Sequence, residues 1–293
     1  GISNIYNPYS GSLNEIERFT DKYEWDDAFT KPLNLSNKFS IKHTNNKGIF
    51  NKLGLNSKKY VCLHIRSSET YGDSLESHER NAKIENYYPL IKFLIRKKYH
   101  VVRLGDSKMP KTNKIDGLID YANSEHNSKY NDQYLIANCS FYIGTTSGVW
   151  GLAWLFEKDM IIVNNPSWHY SSPKPFDVDL FKLFYDKKNK KKLRVSDWIT
   201  NHHNAMHFTT LINKRYLPIE NSSKEILLCV KNYLSKETIT CNQSKQIKTI
   251  IRKSALKFID SNQHMNTETL YRFYLMSYLS KGNIDKSFYD KYY

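Results

Sequence analysis

Tyr60-Val-Cys-Leu-His-Ile-Arg66 is an apolar run that carries a histidine near its end and closes on an arginine. Without glycine or proline, and short enough for a strand, it reads as a buried strand over 60–65. A helical pattern follows over 84–98, with Tyr87, Leu90, Ile91, Leu94 and Ile95 on one face. A second strand, His100-Val-Val-Arg-Leu104, then ends in Gly105-Asp106-Ser107. The alternation continues with a short strand over 118–121, a helix over 128–138 that buries Tyr134, Leu135 and Ile136, and a strand over 141–143. Beyond Gly144-Thr-Thr-Ser-Gly148 come a helix over 149–156 and a strand over 160–163. Strand and helix taking turns in this way imply an α/β fold, a Rossmann-like parallel sheet flanked by helices. Ligands of such sheets bind beyond the carboxyl ends of the strands. The loops after Ile65, Leu104 and Ile143 are therefore where a site is expected.

Upstream of this region, residues 1–57 are polar and weakly periodic, with short helices expected over 12–18 and 49–55. They read as a linker or the remnant of a further domain. The Rossmann-like domain is expected over 58–220 and a helical C-terminal region packing on it over 221–293. After Pro166 the chain reads as loop-rich and then helical. Asn221 or Ser222 is a plausible N-cap, with Glu225 placed for a capping box. Further helices are expected over 243–259, 266–280 and 284–291.

Composition narrows the class. Of 293 residues, 40% are hydrophobic and 25% charged, the balance of a globular chain rather than a disordered one. No apolar stretch approaches the roughly 20 residues a membrane-spanning helix needs. Residues 1–10 show neither a basic nor an apolar leader region. Cys62, Cys139, Cys229 and Cys241 lie far apart with no C-x-x-C pair, which argues for a reducing compartment and against a zinc ribbon. A cytoplasmic location is expected. Lys and Arg total 44 against 29 Asp and Glu, a surplus of +15 that favours anionic partners. The run Lys187-Lys-Asn-Lys-Lys-Lys192 reads as a solvated loop.

Several residues could carry chemistry. His64 and Arg66 fall on one side of the strand end, where an arginine fork can hold a phosphate or pair with a carboxylate such as Glu69. Gly144-Thr-Thr-Ser-Gly148 can cradle an anion at a helix N-terminus or simply cap that helix. It lacks the lysine of a Walker A loop and the spacing of G-x-G-x-x-G. Asp132 is either a functional acid or an ordinary first-turn carboxylate. The loop holding Glu69, Asp73, Glu76, His78, Glu79, Arg80 and Asn81 could supply a general base. His202, His203 and His207 include an H-x-x-x-H pair without the glutamate or third ligand of a zinc site, so no metal is expected.

Two of these stretches resemble known motifs. His64-Ile-Arg-Ser-Ser-Glu69 is similar to the H-x-R-x-x-D motif of the α1,6-/protein O-fucosyltransferase superfamily, with Glu in the Asp position. Asp132-Gln-Tyr-Leu-Ile-Ala-Asn-Cys-Ser-Phe-Tyr-Ile-Gly-Thr-Thr-Ser147 resembles that superfamily's later motif, about one residue shorter. A group of bacterial glycosyltransferases is more similar still, over about 55–290, through Arg80-Asn81, Val102-Arg-Leu-Gly-Asp106 and Ser147-Gly148.

The resemblance implies a metal-independent, inverting GT-B enzyme whose donor half this is, using no cofactor beyond a nucleotide-sugar substrate. It implies that Arg66 holds the donor diphosphate with Ser147 and Thr146, and that His64 and Gly148 line that site. Asp132 would accept from the base of a GDP-sugar such as GDP-fucose, and Glu69, Arg80, Asn81 and Asp106 would complete the donor pocket. Asp73, Glu76 or His78 would be the catalytic base. The acceptor would be a surface polysaccharide, glycoconjugate or lipid-linked glycan, reached at the inner face of an anionic membrane. Fewer than 60 residues precede the first motif strand, so the acceptor site is expected on a missing N-terminal domain, or built instead from the C-terminal helices or a partner chain. A non-catalytic nucleotide-sugar-binding module is the alternative. Nucleic-acid binding is disfavoured, since the aromatic residues fall at helical core spacing.

Overall fold

The computed structural model describes residues 47–68, 78–166, 174–194, 215–261 and 282–293, with Ser172 and Asp197. The strands are β1 (Tyr60–His64), β2 (His100–Leu104), β3 (Leu118–Ile119), β4 (Tyr142–Gly144), β5 (Met160–Asn165), β6 (Val178–Phe181), β7 (Leu183–Asp186), β8 (Lys191–Leu193), β9 (Tyr216–Ile219) and β10 (Asn283–Ile284). The helices are α1 (Lys47–Lys52), α2 (Tyr88–Arg96), α3 (Lys129–Asn138), α4 (Gly148–Leu155), α5 (Ser223–Leu234), α6 (Cys241–Ser261) and α7 (Lys286–Tyr292).

Seven strands make one sheet in the order β10-β6-β5-β4-β1-β2-β3, and every neighbouring pair is parallel. From β6 to β3 this is the 3-2-1-4-5-6 order of the Rossmann-like α/β folds, read from the other side. Alternation along β1 divides the interior into two cores. Val61, Leu63 and Ile65 face α2 and α5, where Leu90, Ile91, Leu94, Ile226 and Val230 are fully buried. Tyr60 and Cys62 face the opposite side with Ile49, Leu135, Ile136 and Ala153, from α1, α3 and α4. A parallel sheet covered on both faces needs strands that are apolar throughout, and β1 is buried at every position.

Local chemistry sets the element ends. Pro89 stands at the start of α2, so the pattern expected as one helix over 84–98 splits into a 3-10 turn, Ile84–Tyr87, and the α-helix proper. Ser128 caps α3 by accepting the Asn131 N–H. Ser222 and Glu225 form the full capping box expected at the start of α5. No helix of the described residues is long and apolar enough to cross a membrane.

The region after Pro166, expected to be loop followed by helix, is instead strand-rich. β6 joins the main sheet, and β8-β7-β9 form a second, antiparallel one. Buried polar side chains disguise these strands. Asp179 accepts from Ser172 N–H at 2.6 Å and from Asn165 Nδ2 at 2.9 Å, and Asp186 pairs with Arg215 at 3.0 Å. The lysine-rich run makes the turn between β7 and β8, where Asp186 Oδ1 accepts the Lys188 N–H at 2.9 Å. The last expected helix begins two residues late, because Asn283 and Ile284 pair with Val178 and Asp179 as a strand and Asp285 then caps α7. The helices expected over 12–18 and 266–280 lie outside the described residues.

Gly144 ends β4 beneath the ring of Tyr142, which is wholly buried. A Cβ there would sit 2.4 Å from the Tyr142 phenol oxygen. Gly144→Ala should therefore lower stability by about 1–3 kcal/mol, as overpacking does. The measurement is the urea midpoint, with the slope unchanged. Adding Tyr142→Leu should restore part of the loss, and an unaltered midpoint in the single variant would show that the ring moves aside freely.

Candidate functional site

At the carboxyl edge of the sheet β1 and β4 are neighbours, yet β1 leads toward β2 and β4 leads toward β5. Chains that part in this way leave a crevice between them. Side chains close the ladder where the strands separate. The Arg66 N–H donates to Thr145 Oγ1 at 3.0 Å, and the Thr145 N–H donates to the His64 carbonyl at 3.1 Å. Ser147 stands at the N-cap of α4 but does not cap it. Its Oγ instead lies 3.1 Å from His64 Nδ1. The first N–H groups of α4 thus carry the helix's partial positive charge without the N-cap side chain as an acceptor. Gly148 is exposed at that terminus, and a Cβ there would meet nothing within 4 Å. Thr146 Oγ1 is buried without a hydrogen-bond partner among the described residues.

Positive charge gathers around this crevice. Arg66 is 4% exposed, and its Nη1 donates to Asn81 Oδ1. His64 is as deeply buried, and its pKa is pushed down to about 4 by burial, then by Arg103 and Arg66. At neutral pH it is an uncharged ring with one donor and one acceptor. Asn81 also accepts, through its carbonyl, from Lys182 Nζ at 2.7 Å. Beside it opens a cleft of about 410 Å³, lined by Ile65, Ser68, Asn81, Arg103, Lys182 and Glu220 among others.

Of the expected site residues, the structure brings together His64, Arg66, Asn81, Thr146, Ser147 and Gly148. Asp132 lies in the first turn of α3, half-buried. Its Oδ1 has no hydrogen-bond partner among the described residues, and burial raises its pKa to about 6 despite the Tyr121 hydroxyl. Asp106 is exposed and takes the Lys108 N–H at 2.9 Å, an ordinary turn contact. Arg80 ends the 3-10 turn His78–Arg80, away from the cleft lining. Glu69, Asp73 and Glu76, with His202, His203 and His207, lie outside the described residues, as does the His78 side chain. Glu69, the carboxylate weighed as a partner for Arg66, is thus undescribed, and a described partner of the guanidinium is Asn81.

Two residues not assigned a role from sequence stand out. Arg103 is 2% exposed inside β2, with Nη1 donating to Asp120 Oδ1 at 2.9 Å and to the Pro110 carbonyl at 3.0 Å. A charge inside an otherwise apolar strand was the available signal. Lys182, also 2% exposed, gave none, because it lies in the stretch read as loop. Among the described residues no group of three or more His, Cys, Asp or Glu side chains could hold a metal ion.

No protein-family model, curated protein or solved structure matches the chain. Fold and crevice alone define its class, a Rossmann-like α/β domain with uncapped backbone donors and buried cations at the carboxyl edge of its sheet.

The His64 titration, followed by NMR of the labelled ring, should have its midpoint near 4 rather than the usual 6.5. Between these values the unfolded chain binds a proton that the folded one refuses, so the His64 contribution to stability falls as pH drops from about 6.5 toward about 4, while the buried Asp132, Asp177 and Asp179, raised to about 6, 7 and 6, contribute with the opposite sign. His64→Gln should remove that contribution, so the stability difference between variant and wild type should shift in the variant's favour as pH falls through this range. A midpoint near 6.5 would mean that the ring reaches water.

Proposed function

We propose that this chain is a metal-independent, inverting glycosyltransferase of GT-B type, and that its sheet is the half that binds the nucleotide-sugar donor. The observation that carries the reading is the uncapped N-terminus of α4 at the parting of β1 and β4, with the unpartnered Thr146 hydroxyl and the buried Arg66 beside it. Helix N-termini bind phosphates through free N–H groups and dipole charge. The Asn81 contact orients the Arg66 guanidinium, whose fork carries five N–H donors in all.

In the reaction the acceptor hydroxyl attacks the anomeric carbon from the face opposite the diphosphate. The bond from that carbon to the phosphate oxygen breaks, and the nucleoside diphosphate leaves with the electron pair. Arg66, the α4 N–H groups, Thr146 and Ser147 meet the charge that grows on the leaving oxygen, a preorganised electrostatic role. Neutral His64 fixes Ser147 in place through the 3.1 Å contact. Asp73, Glu76 or His78 takes the acceptor's proton. Asp132, with one carboxylate oxygen uncommitted, suits the N–H edge of guanine and favours a GDP-sugar. The surplus of +15 suits an acceptor presented at an anionic membrane face, a surface-polysaccharide or glycoconjugate intermediate.

Calorimetric titration with GDP, UDP, CDP and their sugars tests this. One nucleotide should bind, and Arg66→Ala should weaken it by about 1.5–3 kcal/mol, a loss of tenfold or more. Thr146→Val should weaken it less, by a factor of about three to ten, since a neutral hydroxyl contributes about 1 kcal/mol. Absence of binding by every nucleotide to the folded chain would overturn the reading.

A further inference from the structure

The carboxyl edge of the sheet has two sides. The α4 N-terminus belongs to the side that Cys62 faces, whereas the 410 Å³ cleft opens on the other, where Ile65 lines it. That volume is in the range of small-molecule sites. Two cations, Arg103 and Lys182, are buried in its lining, each 2% exposed. Such burial is costly unless an opposite charge answers it.

Asp120 answers Arg103, although the Arg103 Nε has no partner among the described residues. Among the described residues Lys182 has no ion-pair partner. Its Nζ donates to the Asn81 carbonyl, a neutral acceptor, and an ammonium has three N–H donors. No carboxylate of the described residues lies within ion-pair distance of it. Glu220 and Glu79 attract it only from farther away, and Glu220 Oε2 already accepts from the Lys83 N–H at 3.1 Å and from Asn86 Nδ2 at 3.0 Å. Lys83 and Glu85, both exposed, also line the cleft and carry opposite charges. Among the described residues the Arg103 Nε and all but one of the Lys182 N–H groups thus lack an acceptor, and Glu79, the other carboxylate that attracts Lys182, keeps its Oε2 buried without a hydrogen bond.

We propose that this cleft is a second subsite that binds the anionic group, carboxylate or phosphate monoester, of a sugar-sized ligand through Lys182 and Arg103. Under the glycosyltransferase reading, on which this assignment rests, that ligand is the acceptor sugar, which is acidic. Lys182 and Arg103 then hold it on the far side of Arg66 from the α4 N-terminus. The anion-binding property itself does not need that reading.

The test titrates the full chain with glucuronate, glucose 6-phosphate and methyl glucoside at constant ionic strength, and separately with the nucleotide diphosphates. At least one acidic sugar should bind at least about tenfold tighter than the neutral one. Preference between the two identifies a carboxylate or a phosphate as the native group. Lys182→Met should weaken acidic-sugar binding about tenfold or more, Lys182→Arg should largely retain it, and neither should shift nucleotide affinity beyond about threefold. Inorganic phosphate should compete with the acidic sugar in the wild type, a readout that survives if Lys182→Met fails to fold. Equal binding of neutral and acidic sugars, no acidic-sugar binding to the folded wild type, no competition by phosphate, or an unaffected folded Lys182→Met each overturns the subsite. Acidic sugar that displaces a bound nucleotide also overturns it, by making the cleft part of the nucleotide's own site. If acidic sugars bind as expected while no nucleotide does, the subsite stands and the donor-half reading falls.

Discussion

Everything at the carboxyl edge depends on one constraint, that β1 and β4 are paired neighbours whose chains must leave in opposite directions. Their ladder runs from Cys62↔Tyr142 to His64↔Gly144 and then has no next partner. Backbone groups stranded at such a point need substitutes. Thr145 supplies them, accepting from the Arg66 N–H with its side chain and donating to the His64 carbonyl with its backbone. This arrangement fixes the direction of Arg66, holds His64 against Ser147 and starts α4 without a cap. A slip of one residue would also exchange the faces of β1 and turn both cores inside out.

A second set of buried polar contacts holds the outer wall. Asn164 sits at φ 54, and it and Asn221 bond reciprocally: each backbone N–H donates to the other's side-chain oxygen, at 2.6 and 2.7 Å. Asn164 Nδ2 reaches the Tyr87 hydroxyl, and Asn221 Nδ2 reaches the Phe181 carbonyl. One pair of amides therefore joins the end of β5, the turn before α2, the end of β6 and the start of α5. Glu220, next to Asn221, and Lys182, next to Phe181, take their positions in the cleft from it. Buried networks of this kind, once fully satisfied, favour a single arrangement over its alternatives.

The readable part of the sequence and the hidden part differ physically. β1, β2, β4 and β5 announce themselves because a parallel strand covered on both faces must be apolar, and the capping box before α5 is a purely local device. β6 and β7 are hidden because Asp179, Lys182 and Asp186 interrupt their pattern, and what makes these residues tolerable is tertiary: Ser172 and Asn165, the Asn81 carbonyl, and Arg215. The same division applies to the site. His64, Arg66 and the Gly144–Gly148 turn follow from strand ends, which a sequence marks. That Asn81 would be shared by Arg66 and Lys182 depends on segments about a hundred residues apart, and no local spacing encodes it.

The edge strand β10 bears on how the molecule assembles. It is only two residues long, and it covers the outer side of β6 at Val178 and Asp179, whose partners Asn283 and Ile284 come more than a hundred residues later. On a growing chain, the ribosome therefore exposes β6 well before its cover exists. During that interval the strand's free peptide groups are open to pairing with other chains. Its two buried carboxylates, Asp177 and Asp179, flank Val178 and would be solvated and ionised at that stage, so the polarity that masks β6 in the sequence also discourages premature pairing.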